Sequence, residues 1–130
     1  MIVIDASAAL EWLLRTRGGE TVERMILGAA SSLHAPHLID VEVAHVLRRR
    51  AMRGEMDAGR AREALDDFAE LPLRRHEHTD LLARAWSMRA NLSAYDAIYV
   101  ALAEAIDATL LTCDKRLAAA AAGRLEIWTP

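Results

Sequence analysis

Four carboxylates stand against apolar segments of the chain. Asp5 follows MIVI, Glu42 lies within PHLIDVEVAHVLRRR, Asp96 within NLSAYDAIYVALAEA, and Asp114 follows TLLTC. Each has an ordinary structural explanation when taken alone. Aspartate is a favoured cap where a strand turns into a helix, which serves both Asp5 and Asp114. Ser93-Ala94-Tyr95-Asp96 has the spacing of a capping box, although Glu or Gln is the usual third-position acid. Glu42 has Leu38, Ile39, His45 and Val46 as its helical neighbours, a largely apolar stripe; an ion pair with Arg49 or another arginine would account for it. Asp40 points about 200° away around the same helix and sits in its first turn, where the helix dipole favours an acid.

As a set, the four acids suggest chemistry. Carboxylates converging on one site repel and raise one another's pKa. A divalent cation relieves that repulsion, and oxygen donors with water are what Mg²⁺ or Mn²⁺ prefers. Zinc would call for cysteine and histidine, yet Cys113 has no CxxC partner. The five histidines are scattered apart from His76-x-His78. No GxGxxG or GxxxxGK[ST] occurs, so neither a dinucleotide fingerprint nor a P-loop is present. No Ser-His-Asp or Cys-His arrangement offers a nucleophile.

Elements able to position these acids follow from the apolar pattern. Short strands are expected at Met1–Ile4, Leu33–Ala35, Leu73–Glu77, Thr109–Cys113 and Leu125–Trp128. Between them, helices are expected over Ala6–Leu14, Glu20–Ala30, Pro36–Arg53 and Asp57–Ala69. Others follow over Thr79–Ala90, from the Ser93 cap onward, and over Lys115–Ala122. Pro36 is placed in a first helical turn, Asp57 and Thr79 at caps, and RTRGG as the end of the first helix. The segment from Tyr95 reads as a helix apolar on almost every side, which belongs in a core. Strands alternating with helices predict an α/β domain with a short parallel sheet of about five strands, covered by helices on both faces. In such sheets ligands bind beyond the carboxyl ends of the strands, where Asp5 and Asp114 fall.

The bulk properties agree with one domain spanning residues 1–130. Its 130 residues are 53% hydrophobic, enough for one packed core and unlike a disordered chain. No apolar run is long enough for a membrane span. MIVIDASAALEWLL lacks a basic segment and carries Asp5 and Glu11, so it reads poorly as a signal peptide. A single cysteine excludes an internal disulfide and predicts a reducing, cytoplasmic setting. The net charge of −3 conceals an uneven distribution, because 15 of the 16 basic residues are arginine. Arg48, Arg49, Arg50 and Arg53 cluster. They form either a solvated helix end, where the dipole favours cations, or a surface for a phosphate-bearing partner.

IDASA around Asp5, Glu42 in the helix after HAPHLIDVE, SAYDAIYVALA around Asp96 and LLTCDKRL around Asp114 together resemble the PIN-domain ribonucleases. Within that family the likeness is to VapC-type toxins of toxin–antitoxin pairs, and it covers essentially the whole chain. The resemblance implies a PIN-like fold and an Mg²⁺- or Mn²⁺-dependent endoribonuclease. Asp5, Glu42, Asp96 and Asp114 would hold the cation directly or through water, and RNA phosphodiesters would be hydrolysed by water activated there. It also implies that Ser7 and Thr112 support the carboxylates, and that a cognate antitoxin binds the protein. A homodimer is expected too, with Trp12, Leu13 and Trp86 able to supply exposed apolar contacts. The chain departs from the family pattern at Asp107, where many relatives have glycine, and at Arg116, where some carry a further acid. A non-catalytic PIN-like module that binds RNA or protein is the alternative. A phosphatase or phosphoryl-accepting receiver domain fits less well, since Asp5 has no adjacent acid and Lys115 follows an acid directly.

Overall fold

The computed structural model describes every residue from Met1 to Pro130. Five strands form one parallel sheet: β1 (Ile2–Ile4), β2 (Leu33–Pro36), β3 (Leu73–His76), β4 (Thr109–Leu111) and β5 (Ile127–Trp128). Seven α-helices connect them: α1 (Ala6–Leu13), α2 (Arg17–Ala29), α3 (Leu38–Met52), α4 (Ala58–Glu70), α5 (Leu82–Ser87), α6 (Ala94–Ala105) and α7 (Lys115–Ala121). A single 3-10 turn, Thr79–Leu81, precedes α5. The expected α/β architecture is therefore present.

Ile2, Val3 and Ile4 are all essentially inaccessible to solvent. Successive strand side chains point to opposite faces, so burial of all three requires a layer on each side of the sheet. Helix α6 packs across β1, β2 and β4, while α1 packs on α2, α3 and α4. Every residue of α6 from Ala97 to Ala103 is buried. No helix is long and apolar enough to cross a membrane.

The sheet order, β3-β2-β1-β4-β5, matters most for function. From β1 the chain winds outward through β2 and β3, then crosses back to place β4 and β5 on the other side. The order reverses between β1 and β4, whose register aligns Ile4 with Leu111. Such a reversal opens a crevice beyond the strand ends. Asp5 and Asp114 both sit at that crevice, just after adjacent strands.

Several local expectations are corrected. Pro36 ends β2 instead of opening α3, aligned with His76 of β3. It lies past the pairing with β1, which ends at Val3 opposite His34, where a missing N–H does least harm. RTRGG does not simply close α1. Arg15 turns left-handed at φ 54, Thr16 caps α2 through Gly19 N at 3.0 Å, and both glycines enter α2. A Cβ on Gly19 would lie 1.9 Å from the Glu11 carbonyl oxygen, so glycine permits the two helix backbones to touch. Thr79 does not cap a helix reaching Ala90; the 3-10 turn has no side-chain cap, and α5 stops at Ser87. Asp57 does cap α4, accepting from Arg60 N at 3.2 Å. Asp107 occupies a left-handed turn at φ 52, a conformation that aspartate tolerates better than most residues. Of the apolar residues expected outside, Trp86 is exposed, Leu13 is buried, and Trp12 packs partly against the core.

Candidate active site

Asp5 is the innermost acid, 5% exposed. As the cap of α1 it accepts from Ala8 N at 2.9 Å, and Ser7 Oγ donates to the same oxygen at 2.7 Å. Its other oxygen accepts from Thr112 Oγ1. Burial raises the Asp5 pKa, an effect that these three donors offset in part and the charge of Asp96 reinforces. The Thr112 hydroxyl also accepts from Asp114 N at 3.0 Å, and Ser7 Oγ accepts from Cys113 N at 3.0 Å. Ser7 and Thr112 thus stitch the end of β1 to the end of β4. Both hydroxyls donate directly to the Asp5 carboxylate.

Asp114 caps α7, accepting from Arg116 N at 2.8 Å and Leu117 N at 3.2 Å. Asp96 lies in the first turn of α6, where Ser93 Oγ accepts from its backbone N at 3.1 Å. Burial raises the Asp96 pKa, the charge of Asp114 raises it further, and the Ser93 hydroxyl lowers it. Caps and acidic site therefore coincide, because a helix start at a strand end offers both N–H groups and the dipole's positive end.

Glu42 projects from α3. The expected ion pair with Arg49 is not formed; Tyr99 of α6 donates its hydroxyl to Glu42 Oε1 at 2.6 Å instead. Tyr99 is 1% exposed, and burial together with Glu42 holds its pKa far above the ordinary value, so it remains a donor. Burial also raises the Glu42 pKa, the tyrosine hydrogen bond lowers it, and the charges of Asp96 and Asp5 raise it. Sequence reasoning missed Tyr99, whose position in an apolar helix read as core alone. Its spacing from Asp96, one turn on, was the available signal. Asp40, by contrast, turns away to pair with Arg75 at 2.8 and 3.0 Å.

The fold thus brings all four acids within electrostatic reach. Asp96 acts on Asp5 and Glu42, Asp5 on Glu42, and Asp114 on Asp96. Such mutual repulsion marks a place where a cation would be welcome. The donors are hard oxygens. Cys113, nearby, is pushed up to about 11 by burial and by Asp5 and Glu11, so its thiol stays protonated at neutral pH. No three Asp, Glu, His or Cys side chains are close enough to hold one ion directly.

A cavity of about 780 Å³ opens beside Glu42, between α1, α3 and the start of α6. Ser7, Cys113, His45 and Tyr95 reach it, as do Arg49 and Arg50 of the arginine cluster. Arg48 and Arg53 are exposed outside it. Tyr95 corrects another expectation: it lies in the first turn of α6, whose middle is buried, yet is 61% exposed. A smaller cavity of about 370 Å³, lined by Trp12, Arg15 and Asp67 among others, holds none of the four acids.

The PIN domain family model matches residues 2–123. The VapC ribonuclease Mb0985 of Mycobacterium bovis is 49% identical over 117 residues, covering 90% of this chain and 88% of that protein. Among solved structures, PAE2754 from Pyrobaculum aerophilum superposes with a TM-score of 0.72 at 22% identity, covering 97% of this chain and 87% of that one. A chain of a toxin–antitoxin complex from Klebsiella pneumoniae gives 0.68 at 19% identity, covering 100% and 98%. The family match and the 49% identity place this chain in the PIN-domain family, among its VapC ribonucleases.

Proposed function

We propose that the protein is a divalent-metal-dependent endoribonuclease, the toxin of a VapC-type toxin–antitoxin pair. The observation that carries this reading is the grouping of Asp5, Glu42, Asp96 and Asp114 at the sheet's point of reversal, with hydrogen bonds holding the carboxylates of Asp5, Glu42 and Asp114. A Mg²⁺ or Mn²⁺ ion bound there would supply a Lewis acid for the phosphodiester and a water of lowered pKa. Asp5 holds its carboxylate between Ser7 and Thr112, so its orientation is set before substrate arrives. Tyr99 donates to one oxygen of Glu42 and so fixes that carboxylate. Asp96 and Asp114, at two helix starts, complete the negative pocket. Arg49 and Arg50 place positive charge beside it, where neighbouring phosphates would lie.

The 49% identity to a VapC ribonuclease supports RNA as the substrate. The same relationship, with the fold likeness to a toxin–antitoxin chain, supports a cognate antitoxin partner. A homodimer is also proposed, with exposed Trp86 and Leu82 of α5 as available apolar contacts. The decisive experiment incubates purified protein with total cellular RNA in Mg²⁺, Mn²⁺ or EDTA, beside folded Asp5→Asn and Asp96→Asn variants. Discrete cuts that need metal and vanish in both variants are expected. Cutting that persists in EDTA, or in either variant, would overturn the proposed site. Absence of both cutting and metal binding would favour a non-catalytic binding module.

A further inference from the structure

Tyr95 presents a largely exposed aromatic ring to the cavity beside Glu42. It lies in the first turn of α6, whose residues Ala97 to Ala103 are buried, yet it is 61% exposed. Its chain neighbour is Asp96, and it lines the same cavity as Glu42. Across that cavity, α3 presents His45 and Arg49, one and two turns beyond Glu42 on the same stripe. From Glu42 to Arg49 the helix rises about 10 Å, a short step of extended polynucleotide. The α3 wall of the cavity thus runs from acidic Glu42 to cationic Arg49 and Arg50, Glu11 of α1 also lines it, and the exposed Tyr95 ring is a third wall.

This combination, a π-surface with guanidinium groups along a groove, is how single-stranded nucleic acid is held without base pairing. We propose that the cavity seats the nucleotide adjoining the scissile phosphate, its unpaired base stacked on Tyr95 and its far phosphate on Arg49 and Arg50. The proposal rests on the ribonuclease reading and adds to it a residue-level subsite: Tyr95 can stack only on an unpaired base, because a base held in a duplex has its faces covered. His45 stands where it would flank the same base. Stacking tolerates all four bases, so Tyr95 would select single strands over duplexes more than one sequence over another.

The test uses a fluorescein-labelled, mixed-sequence 12-nucleotide RNA, single-stranded or annealed to its complement. Binding is read by anisotropy in EDTA, and cleavage of total cellular RNA is followed separately with Mn²⁺. Tyr95→Ala is expected to weaken single-strand binding by roughly tenfold, within the usual range for loss of one base stack. Tyr95→Phe should restore it, and duplex binding should be weak and indifferent to both changes. Arg49→Ala with Arg50→Ala should weaken binding and flatten its salt dependence. If wild type cuts total RNA while Tyr95→Ala binds the single strand normally, the subsite is wrong and the nuclease reading stands. Tyr95→Ala weakening antitoxin binding alone would reassign the cavity to a protein segment. Wild type that neither binds nor cuts RNA would overturn both readings.

Discussion

Replacing Thr112 by valine is the sharpest probe of how the acidic crevice is held. Thr112 is completely buried, and valine fills the same volume without the hydroxyl. Two bonds are lost, donation to the Asp5 carboxylate and acceptance from Asp114 N; the Ser7 hydroxyl, 3.3 Å away, adds none because both hydroxyl protons point to Asp5. A buried hydrogen bond to a charged group contributes about 2 kcal/mol and a neutral one about 1 kcal/mol, so about 3 kcal/mol should be lost when Asp5 is ionised. Unfolding entropy near 2.1 cal/mol/K per residue, over 130 residues, converts that into a melting temperature lower by about 11 °C. The loss must also depend on pH. The folded-state pKa of Asp5 lies above its ordinary 3.8, so the folded protein binds this proton more tightly and stability falls as pH rises through the interval between them. Thr112 is the strongest influence holding that pKa down. Its removal widens the interval, so the loss should be largest near neutral pH and should shrink on acidification. Chemical denaturation of metal-free wild type and variant at several pH values measures both quantities. A loss below about 1 kcal/mol, or one independent of pH, would refute the view that this hydroxyl stabilises ionised Asp5.

Other perturbations should be equally legible. In EDTA, Asp96→Asn should melt above wild type because repulsion within the acidic cluster is relieved. Mn²⁺ at 100 times its dissociation constant should stabilise wild type by about 2.7 kcal/mol, and the variant far less. Equal thermal shifts in the two proteins would contradict Asp96 as a ligand. Tyr99→Phe should cost about 1–2 kcal/mol, since water partly replaces the donor at half-buried Glu42. It should also move the acidic limb of the cleavage pH profile upward, because the tyrosine lowers the Glu42 pKa; an unmoved profile would deny Tyr99 a positioning role. His34 is buried in β2, bonded to Ser32 and, at 2.8 Å, to His76. Burial lowers its pKa, with His76 adding to the effect. Its stabilising contribution is therefore present above pH 6.5 and lost as pH falls toward the folded value. His34→Leu should flatten the decline of stability between pH 7 and 5, and a slope as steep as that of wild type would rule out this assignment.

The sequence alone determined the alternation of strands and helices, the parallel sheet, and the acids that end β1 and β4. These depend on local pattern: short apolar runs, a capping residue at each turn, and the apolar face of each helix. It also singled out Glu42 and Asp96, since an acid amid apolar neighbours stands out whatever the fold. It misplaced Pro36, the glycines of α2 and the Thr79 turn, where the outcome depends on which strand or helix lies alongside. Whether β1 neighbours β4 is decided by how helices cross the sheet, and only that adjacency lets Thr112 reach Asp5. Tyr99 and Tyr95 show the same division, four residues apart in one helix. Their shared residue type and helical setting could not distinguish them. Packing of α6 across the sheet buries one hydroxyl against Glu42, and the position of Tyr95 at the open end of that helix leaves the other ring facing the groove.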